Sequence, residues 1–161
     1  MASTFYSDVA MVNDPPVVRP EFSYIIPFTY ALTAAPVAND LYVLVRIPEG
    51  AKLVSFLIDI PDLDTHATPT IAFDLGDSGD DDRFVSNQGV GQSSGKLHSG
   101  AYVTLTNGIA GAIVNTLPRA YTTSDYLALK CRTAAATAVT TGTFSGNVAY
   151  SLFPNYYSLP M

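Results

Sequence analysis

The chain has 161 residues, of which 48% are hydrophobic and only 14% charged, and its net charge is −6. No apolar run reaches the 18 residues of a membrane-spanning helix, which excludes that class of membrane protein. The eight Lys and Arg residues are scattered singly, so the clustered positive charge by which proteins bind DNA or RNA is missing. This length predicts one domain, and the low charge content predicts a surface partly covered by other subunits.

Residues 1–22 are predicted to form an extended N-terminal arm. Prolines at 15, 16 and 20 interrupt regular structure, because proline fixes φ and removes a backbone donor. The arm also carries Phe5, Tyr6, Val9 and Met11. We therefore expect it to lie over its own domain or to reach a neighbouring subunit, with disorder as the alternative.

Apolar residues alternate at a period of two from Ser23 onwards, which predicts β-strands. In the first strand Pro27 lies on the face opposite Phe28, which predicts an edge strand or a bulge. The next two strands, Leu41–Ile47 and Lys52–Ile60, flank a Pro-Glu-Gly turn and are apolar on both faces. The predicted main faces are Tyr24, Ile26, Phe28, Tyr30 and Leu32; Leu41, Val43, Val45 and Ile47; and Val54, Phe56, Ile58 and Ile60.

The second half of the chain predicts further short strands separated by loops. Residues 76–82 are predicted to be an acidic loop, and residues 87–100 are the longest stretch without a pattern. The predicted strands are Thr70–Leu75, Arg83–Ser86, Tyr102–Thr106, Gly111–Asn115, Tyr126–Arg132 and Thr143–Phe153. Together they predict an all-β fold, a two-sheet, jelly-roll-like sandwich over residues 23–153 with a short C-terminal tail at 154–161.

Few residues have the spacing of a reaction centre. Gly76-Asp77-Ser78-Gly79 matches the start of a serine-protease signature, but His66 lies too close before the serine and the chain is too short for that fold. Residues 91–96 resemble a phosphate-binding loop that is one residue short. Cys131 lies in a strand pattern, so we expect a buried, inert thiol. We therefore predict no enzymatic activity and no cofactor.

The acidic stretch holds the only dense group of carboxylates. Calcium prefers six to eight oxygen ligands from such a loop, which makes Asp77, Asp80 and Asp82 weak candidates for a metal site. The spacing does not match an EF-hand, and the favoured interpretation is solvated turn residues, with one Asp capping the loop or pairing with Arg83.

Three stretches resemble a group of small virion proteins of tailed bacteriophages. They contain a Pro-x-Gly turn at 48–50, the acidic DLGD…DRF sequence at 74–84, and TAAATA followed by Gly142 and Tyr150. The resemblance covers about residues 28–151 and lies mostly in residues that determine turns. It implies a capsid-associated structural protein, and some members of the group are decoration (cement) proteins.

From this resemblance we expect a homotrimer that binds the major capsid protein on the exterior of the virion. The N-terminus lacks a secretory signal, so synthesis in the host cytoplasm is expected. The residues expected to contact partners are aromatic or basic and flank the sandwich: Phe5, Tyr6, Arg19, Phe22, Tyr156 and Tyr157. A trimeric tail-fibre head that binds host carbohydrate is the alternative, although the chain has no Trp to serve as a sugar platform.

Overall fold

The computed structural model describes residues 2–8, 23–99 and 117–152, and all regular structure within these residues is β-strand. No helix in this part of the chain is long and apolar enough to cross a membrane. The strands are β1 (Thr4–Tyr6), β2 (Ser23–Ala31), β3 (Leu41–Ile47), β4 (Ala51–Ile60), β5 (Ala72–Asp77), β6 (Asp80–Gln88), β7 (Gly95–His98), β8 (Arg119–Ala120), β9 (Asp125–Thr133) and β10 (Thr143–Leu152). The predicted strands within 102–115 lie outside the described residues.

The strands form two sheets packed face to face. One sheet has the order β1-β3-β9-β5-β6, and the other has the order β2-β10-β4-β7, with β8 also paired to β4. Five of the antiparallel pairs are nested, namely β2 with β10, β3 with β9, β4 with β7 and with β8, and β5 with β6, while β10 also pairs with β4 and β9 with β5. This nesting is that of one long hairpin rolled into a sandwich, so the jelly-roll prediction is confirmed.

The core between the sheets is rich in aromatic rings. Phe144 on β10 lies at its centre, with its ring edge-on to Tyr42 at 5.1 Å and to Phe73 at 5.8 Å between centroids. Leu127, Leu129 and Cys131 on β9 are fully buried, as the alternating pattern predicts. Burial raises the pKa of the Cys131 thiol to about 12, which keeps it protonated at neutral pH.

Bulges shift two of the predicted strand faces. The pairing of β3 with β9 skips Leu44, so Tyr42 and Leu44 join Val45 and Ile47 in the core. Val43 instead lies on the outer face with Ala128. An extra residue in one strand reverses the alternation beyond it, and for this reason the single predicted face of β3 is wrong.

A second bulge has the same effect on β4. The register with β10 shifts at Val54, which leaves its side chain 43% exposed while Leu53 is buried. Phe56, Ile58 and Ile60 return to the core as predicted. Pro27 confirms the other expectation, since β2 is an edge strand.

Two segments predicted to be irregular contain strands. β5 and β6 extend to Asp77 and Asp80, so the predicted acidic loop is a tight hairpin with only Ser78 and Gly79 between the strands. β7 lies within the unpatterned stretch 87–100, where it pairs with β4 through backbone bonds. Backbone pairing with an existing strand requires no hydrophobic alternation, so the sequence pattern gives no signal for it.

Within the described residues, one buried side-chain amide has no hydrogen-bond partner. Gln88 is fully buried, and neither its Nε2 nor its Oε1 forms a hydrogen bond. Because a buried unpaired polar group is destabilising, we expect Gln88→Met to raise the free energy of unfolding by about 1 kcal/mol, as measured by urea denaturation.

Gln92 provides the matched control for this prediction. It is also buried, but its Nε2 donates to the carbonyl of Ile71 at 2.9 Å. Gln92→Met should therefore lower the stability, by about 1–2 kcal/mol. Equal losses from the two substitutions would contradict the assignment of Gln88 as an unpaired group.

Candidate functional site

The N-terminal segment, residues 2–8, closes one side of the sandwich. Its strand β1 pairs in parallel with β3, placing Phe5 opposite Tyr42. The Phe5 ring points inward and stacks on Tyr42, with 5.0 Å between centroids and 13° between planes. It also contacts Tyr30 on β2 at 6.0 Å. Phe5 is therefore a half-buried extension of the core.

Asp40 anchors the start of this segment. Its side chain is buried, and its Oδ1 accepts the backbone N–H of Ser3 at 2.9 Å. Its Oδ2 accepts the N–H of Val37 at 2.9 Å. The N–H of Leu41 donates back to the carbonyl of Ser3 at 2.8 Å. Asp40 thus joins the segment to the turn that precedes β3.

Ser7 donates hydrogen bonds to backbone carbonyls at the bulge of β3. It is 1% exposed, its N–H donates to the carbonyl of Val43 at 2.8 Å, and its Oγ donates to the carbonyl of Leu44. Leu44 is the residue that the β3–β9 ladder skips. The serine hydroxyl therefore supplies the donor that this bulge carbonyl lacks within the ladder.

Asp8 then carries the segment across to the second sheet. Its N–H donates to the carbonyl of Thr29 at 3.1 Å, and its carboxylate accepts the N–H and the hydroxyl of Thr29 at 2.9 and 3.1 Å. Thr29 belongs to the edge strand β2. The N-terminal segment thus covers a free edge of each sheet, at β3 and at β2.

Tyr6 is the exposed aromatic of the segment. Its side chain is 40% exposed, and the Arg46 guanidinium lies 5.8 Å from its ring centroid. A small apolar cluster of Leu41, Val43, Tyr126 and Ala128 lies on the same sheet. Tyr6 and the partly buried Leu41 and Tyr126 offer aromatic and apolar surface beside a cation, a composition typical of protein interfaces.

The structure describes two of the six residues predicted to contact partners. Phe5 lies inside and Tyr6 outside, so only Tyr6 has the exposure that a contact requires. The other four, Arg19, Phe22, Tyr156 and Tyr157, lie outside the described residues. Sequence reasoning missed Asp40 and Ser7, because their roles depend on a bulge and on a parallel pairing that no periodicity reveals.

The acidic hairpin is an ion-paired scaffold. Asp77 is buried, and its Oδ2 accepts the Arg83 Nε at 2.7 Å and the Tyr121 hydroxyl at 3.2 Å. Its Oδ1 accepts the N–H groups of Gly79 and Asp80, both at 3.1 Å. Burial, followed by the charge of Asp77, raises the pKa of Tyr121. Both oxygens of this metal candidate are thus already used.

The neighbouring carboxylates are also compensated. Asp80, Asp81 and Asp82 have carboxylate oxygens within 4.8 Å of one another. The Lys130 ammonium pairs with Asp81, and Arg132 pairs with Asp82 at 3.0 Å and with the buried Asp74 at 2.7 Å. Two cationic side chains from β9 therefore pair with carboxylates of this group.

We expect calcium to leave the stability of this hairpin unchanged. Arg and Lys side chains already pair with these carboxylates. We therefore expect 5 mM Ca²⁺ to shift the melting temperature by less than about 1 °C, because a ligand without affinity for the folded state does not stabilise it. The same concentration of Mg²⁺ is the control for ionic strength. A rise seen with Ca²⁺ alone would contradict this expectation and restore the metal site.

In the described part of the chain, the side chains that could act as a nucleophile or a base do not lie together. Ser78 donates its N–H to Asp125 at 3.0 Å. His66 accepts the N–H of Thr68 at 3.0 Å. Ser78 lies in the turn between β5 and β6, so the protease-like motif is a hairpin turn. His98 lines an open groove of about 520 Å³, where Lys96 pairs with Asp59. These contacts hold turns and strands in place, and the described residues place no nucleophile beside a base.

The fold and this surface define a jelly-roll module with an N-terminal strand across its side, and two solved capsid structures contain similar chains. A chain in the structure described as the capsid of Ralstonia phage GP4 superposes with a TM-score of 0.68 over 92% of this chain and 97% of that chain, at 22% sequence identity. A chain in the cyanophage Pam1 capsid asymmetric unit gives a TM-score of 0.59 over 86% and 91%, at 25% identity. No protein-family model and no curated protein matches the chain.

Proposed function

We propose that this protein is a non-enzymatic structural component of a bacteriophage virion, and specifically a capsid decoration (cement) protein. It binds the exterior of the assembled shell as a homotrimer and bridges neighbouring major capsid subunits. The observation that carries the proposal is the likeness of nearly the whole chain to chains of two phage capsids.

The extent of that likeness supports a small accessory component. The alignments cover 97% and 91% of the two capsid chains, so each of them is about as long as this protein. A single jelly roll of this size can occupy sites between larger subunits. The low charge content, 14%, agrees with a surface that is partly buried in an assembly.

The mechanism of stabilisation is mass action. A protein that binds the assembled shell but not its separated subunits shifts the equilibrium towards the shell. At a free concentration of 100 times the dissociation constant, each site contributes about 2.7 kcal/mol. Many such sites over one shell would raise its resistance to heat and to internal pressure.

The arm is proposed to supply part of the contact with the shell. Tyr6 is the exposed aromatic beside Arg46 on the side of the sandwich that the N-terminal segment covers. Aromatic residues and arginine are enriched at interaction hot spots. The other proposed contacts are Arg19, Phe22, Tyr156 and Tyr157, together with Phe5 as the residue that anchors the segment.

Co-sedimentation with shells that lack the protein tests the function directly. The full chain should bind saturably and raise the temperature at which the shells disassemble. Tyr6→Ala should weaken binding by about tenfold, the loss of one hot-spot side chain. Thr4→Ala, a change at an exposed position on the same strand, is the matched control and should bind normally.

Deletion of residues 1–20 separates the arm from the remaining surface. Undiminished binding of the shortened chain would refute the role of the arm, whereas failure of the full chain to bind shells would refute decoration itself. Binding of the full chain to a glycan array would instead support a receptor-binding head. Mass measurement in solution tests the trimer.

A further inference from the structure

We propose that the N-terminal segment is an exchangeable strand, which in the assembled protein docks into the strand seat of a second copy of this chain. The strand seat comprises Thr29, Asp40, Tyr42, Val43 and Leu44. This inference deepens the proposed homo-oligomer by naming the element exchanged and its register.

The strand seat and the N-terminal segment are complementary in their hydrogen-bonding groups. Ser3, Ser7 and Asp8 form backbone and side-chain hydrogen bonds to residues 29–44, and an identical segment from another copy would make the same bonds. Exchange of an identical element is a low-cost route to oligomers, since no new contact has to be designed.

The segment is short and contributes little apolar surface to the core. β1 has three residues, and Phe5 is the one hydrophobic residue it packs against the main core. Its departure leaves the nested pairs of β2 to β10 intact. Weakly held terminal elements open with low free energy.

An empty seat cannot stay uncovered without cost. Without the segment, β3 and β2 would both expose unpaired backbone groups at adjacent sheet edges, and the Leu44 carbonyl and the Asp40 carboxylate would lose donors. Free edges attract further strands. The strand with the matching register is the same segment of a neighbouring copy.

The length of chain between the segment and β2 sets how far the segment can reach. Fourteen residues separate Asp8 from Ser23, and at about 3.1 Å per residue in an extended, proline-rich linker they span up to about 45 Å. In the closed form they need to cover only about 20 Å, the length of β2 from Thr29 back to Ser23 at about 3.3 Å per residue. The closed connection therefore uses only about half of this reach, and the remainder is available for an exchanged connection.

Cysteine cross-linking between two differently tagged chains tests the exchange. Thr4 and Leu41 are direct partners in the parallel register, a separation that suits a disulfide. Thr4→Cys chains are mixed with Leu41→Cys chains at concentrations that give oligomers, and are then oxidised. The native Cys131 is fully buried, and wild-type chains oxidised in parallel report its background.

We expect the mixed disulfide at least about tenfold above the yield from Thr4→Cys mixed with Val54→Cys, because a docked strand raises the local concentration of the thiol. Val54 is exposed on the other sheet and serves as the collision control. A yield equal to this control, while the double variant T4C/L41C closes its internal disulfide, overturns the inference. No shell is present in this experiment, so its result is independent of the test of shell binding.

Discussion

Replacing Asp64 with asparagine is expected to lower the free energy of unfolding by about 3 kcal/mol at neutral pH. Asp64 is 1% exposed, and its carboxylate accepts five backbone N–H groups. The Oδ2 atom accepts from Thr70, Ile71 and Ala136 at 2.7, 3.2 and 2.9 Å. The Oδ1 atom accepts from His66 and Thr137 at 3.3 and 2.9 Å.

The loss follows from the geometry of the amide. Asparagine offers one acceptor oxygen, so its NH₂ group would face backbone donors at the other position. The loop before β5 would then separate from the connection between β9 and β10, which Asp64 also joins through a bridge to Ala138. Urea denaturation measures the change.

Asp62 provides the matched control. It lies two residues away, is exposed, and among the described residues accepts the N–H of Asp64 alone, at 3.2 Å. An asparagine oxygen can accept the same bond, so Asp62→Asn should change the stability by less than about 0.5 kcal/mol. Similar small effects at both positions would show that the Asp64 carboxylate does not hold the two loops together.

The pH dependence of stability gives a second measure of Asp64. Burial alone would raise its pKa, but the hydrogen bonds from Thr137, Thr70, Ala136 and Ile71 outweigh burial and lower it. Because the folded pKa lies below the unfolded value of about 3.9, the stabilisation is complete above that value and is lost as the pH falls below it. D64N should therefore show a shallower acid destabilisation than the wild type.

Gly76→Ala is expected to cost at least about 3 kcal/mol, because it inserts a methyl group where the hairpin leaves no space. A Cβ at this position would lie 2.1 Å from the carbonyl oxygen of Asp80 and 2.4 Å from the carbonyl carbon of Asp81. Both contacts are with backbone, so relief requires β6 to move away from β5. The Asp77 and Asp81 ion pairs would be displaced with it.

Gly79→Ala is the control within the same hairpin. A Cβ there would meet the Arg83 guanidinium at 3.2 Å and the Asp77 carboxylate at 3.5 Å. Arg83 is a flexible side chain that can move by a few tenths of an ångström, so the cost should stay below about 1 kcal/mol. Thermal or urea unfolding of the two variants measures the contrast, and an equal cost would contradict close packing at Gly76.

The consequence for function is that the acidic motif at residues 74–84 stabilises the fold. Asp74, Asp77 and Arg83, which the sequence marks as a distinctive group, are engaged with one another or with β9. The contacts proposed for partners lie elsewhere, around Tyr6 and the strand seat. Substitutions in the hairpin should therefore reduce shell binding only as far as they reduce folding.

The amino-acid sequence by itself determined the class of fold. Alternation at a period of two, frequent turn residues such as Gly50, and Pro27 at an edge are local signals, because side-chain direction along a strand is set by the backbone of that strand alone. They were sufficient to predict a jelly-roll-like sandwich, the buried face of β9 and a buried Cys131.

Only the tertiary structure decided which faces are buried beyond the bulges and how the N-terminal segment is held. The reversals at Leu44 and Val54, the pairing of β1 with β3, and the convergence of five N–H groups on Asp64 all join residues distant in sequence. Such contacts depend on the register between strands, and register is fixed by packing and bulges, which the pattern within one strand does not contain.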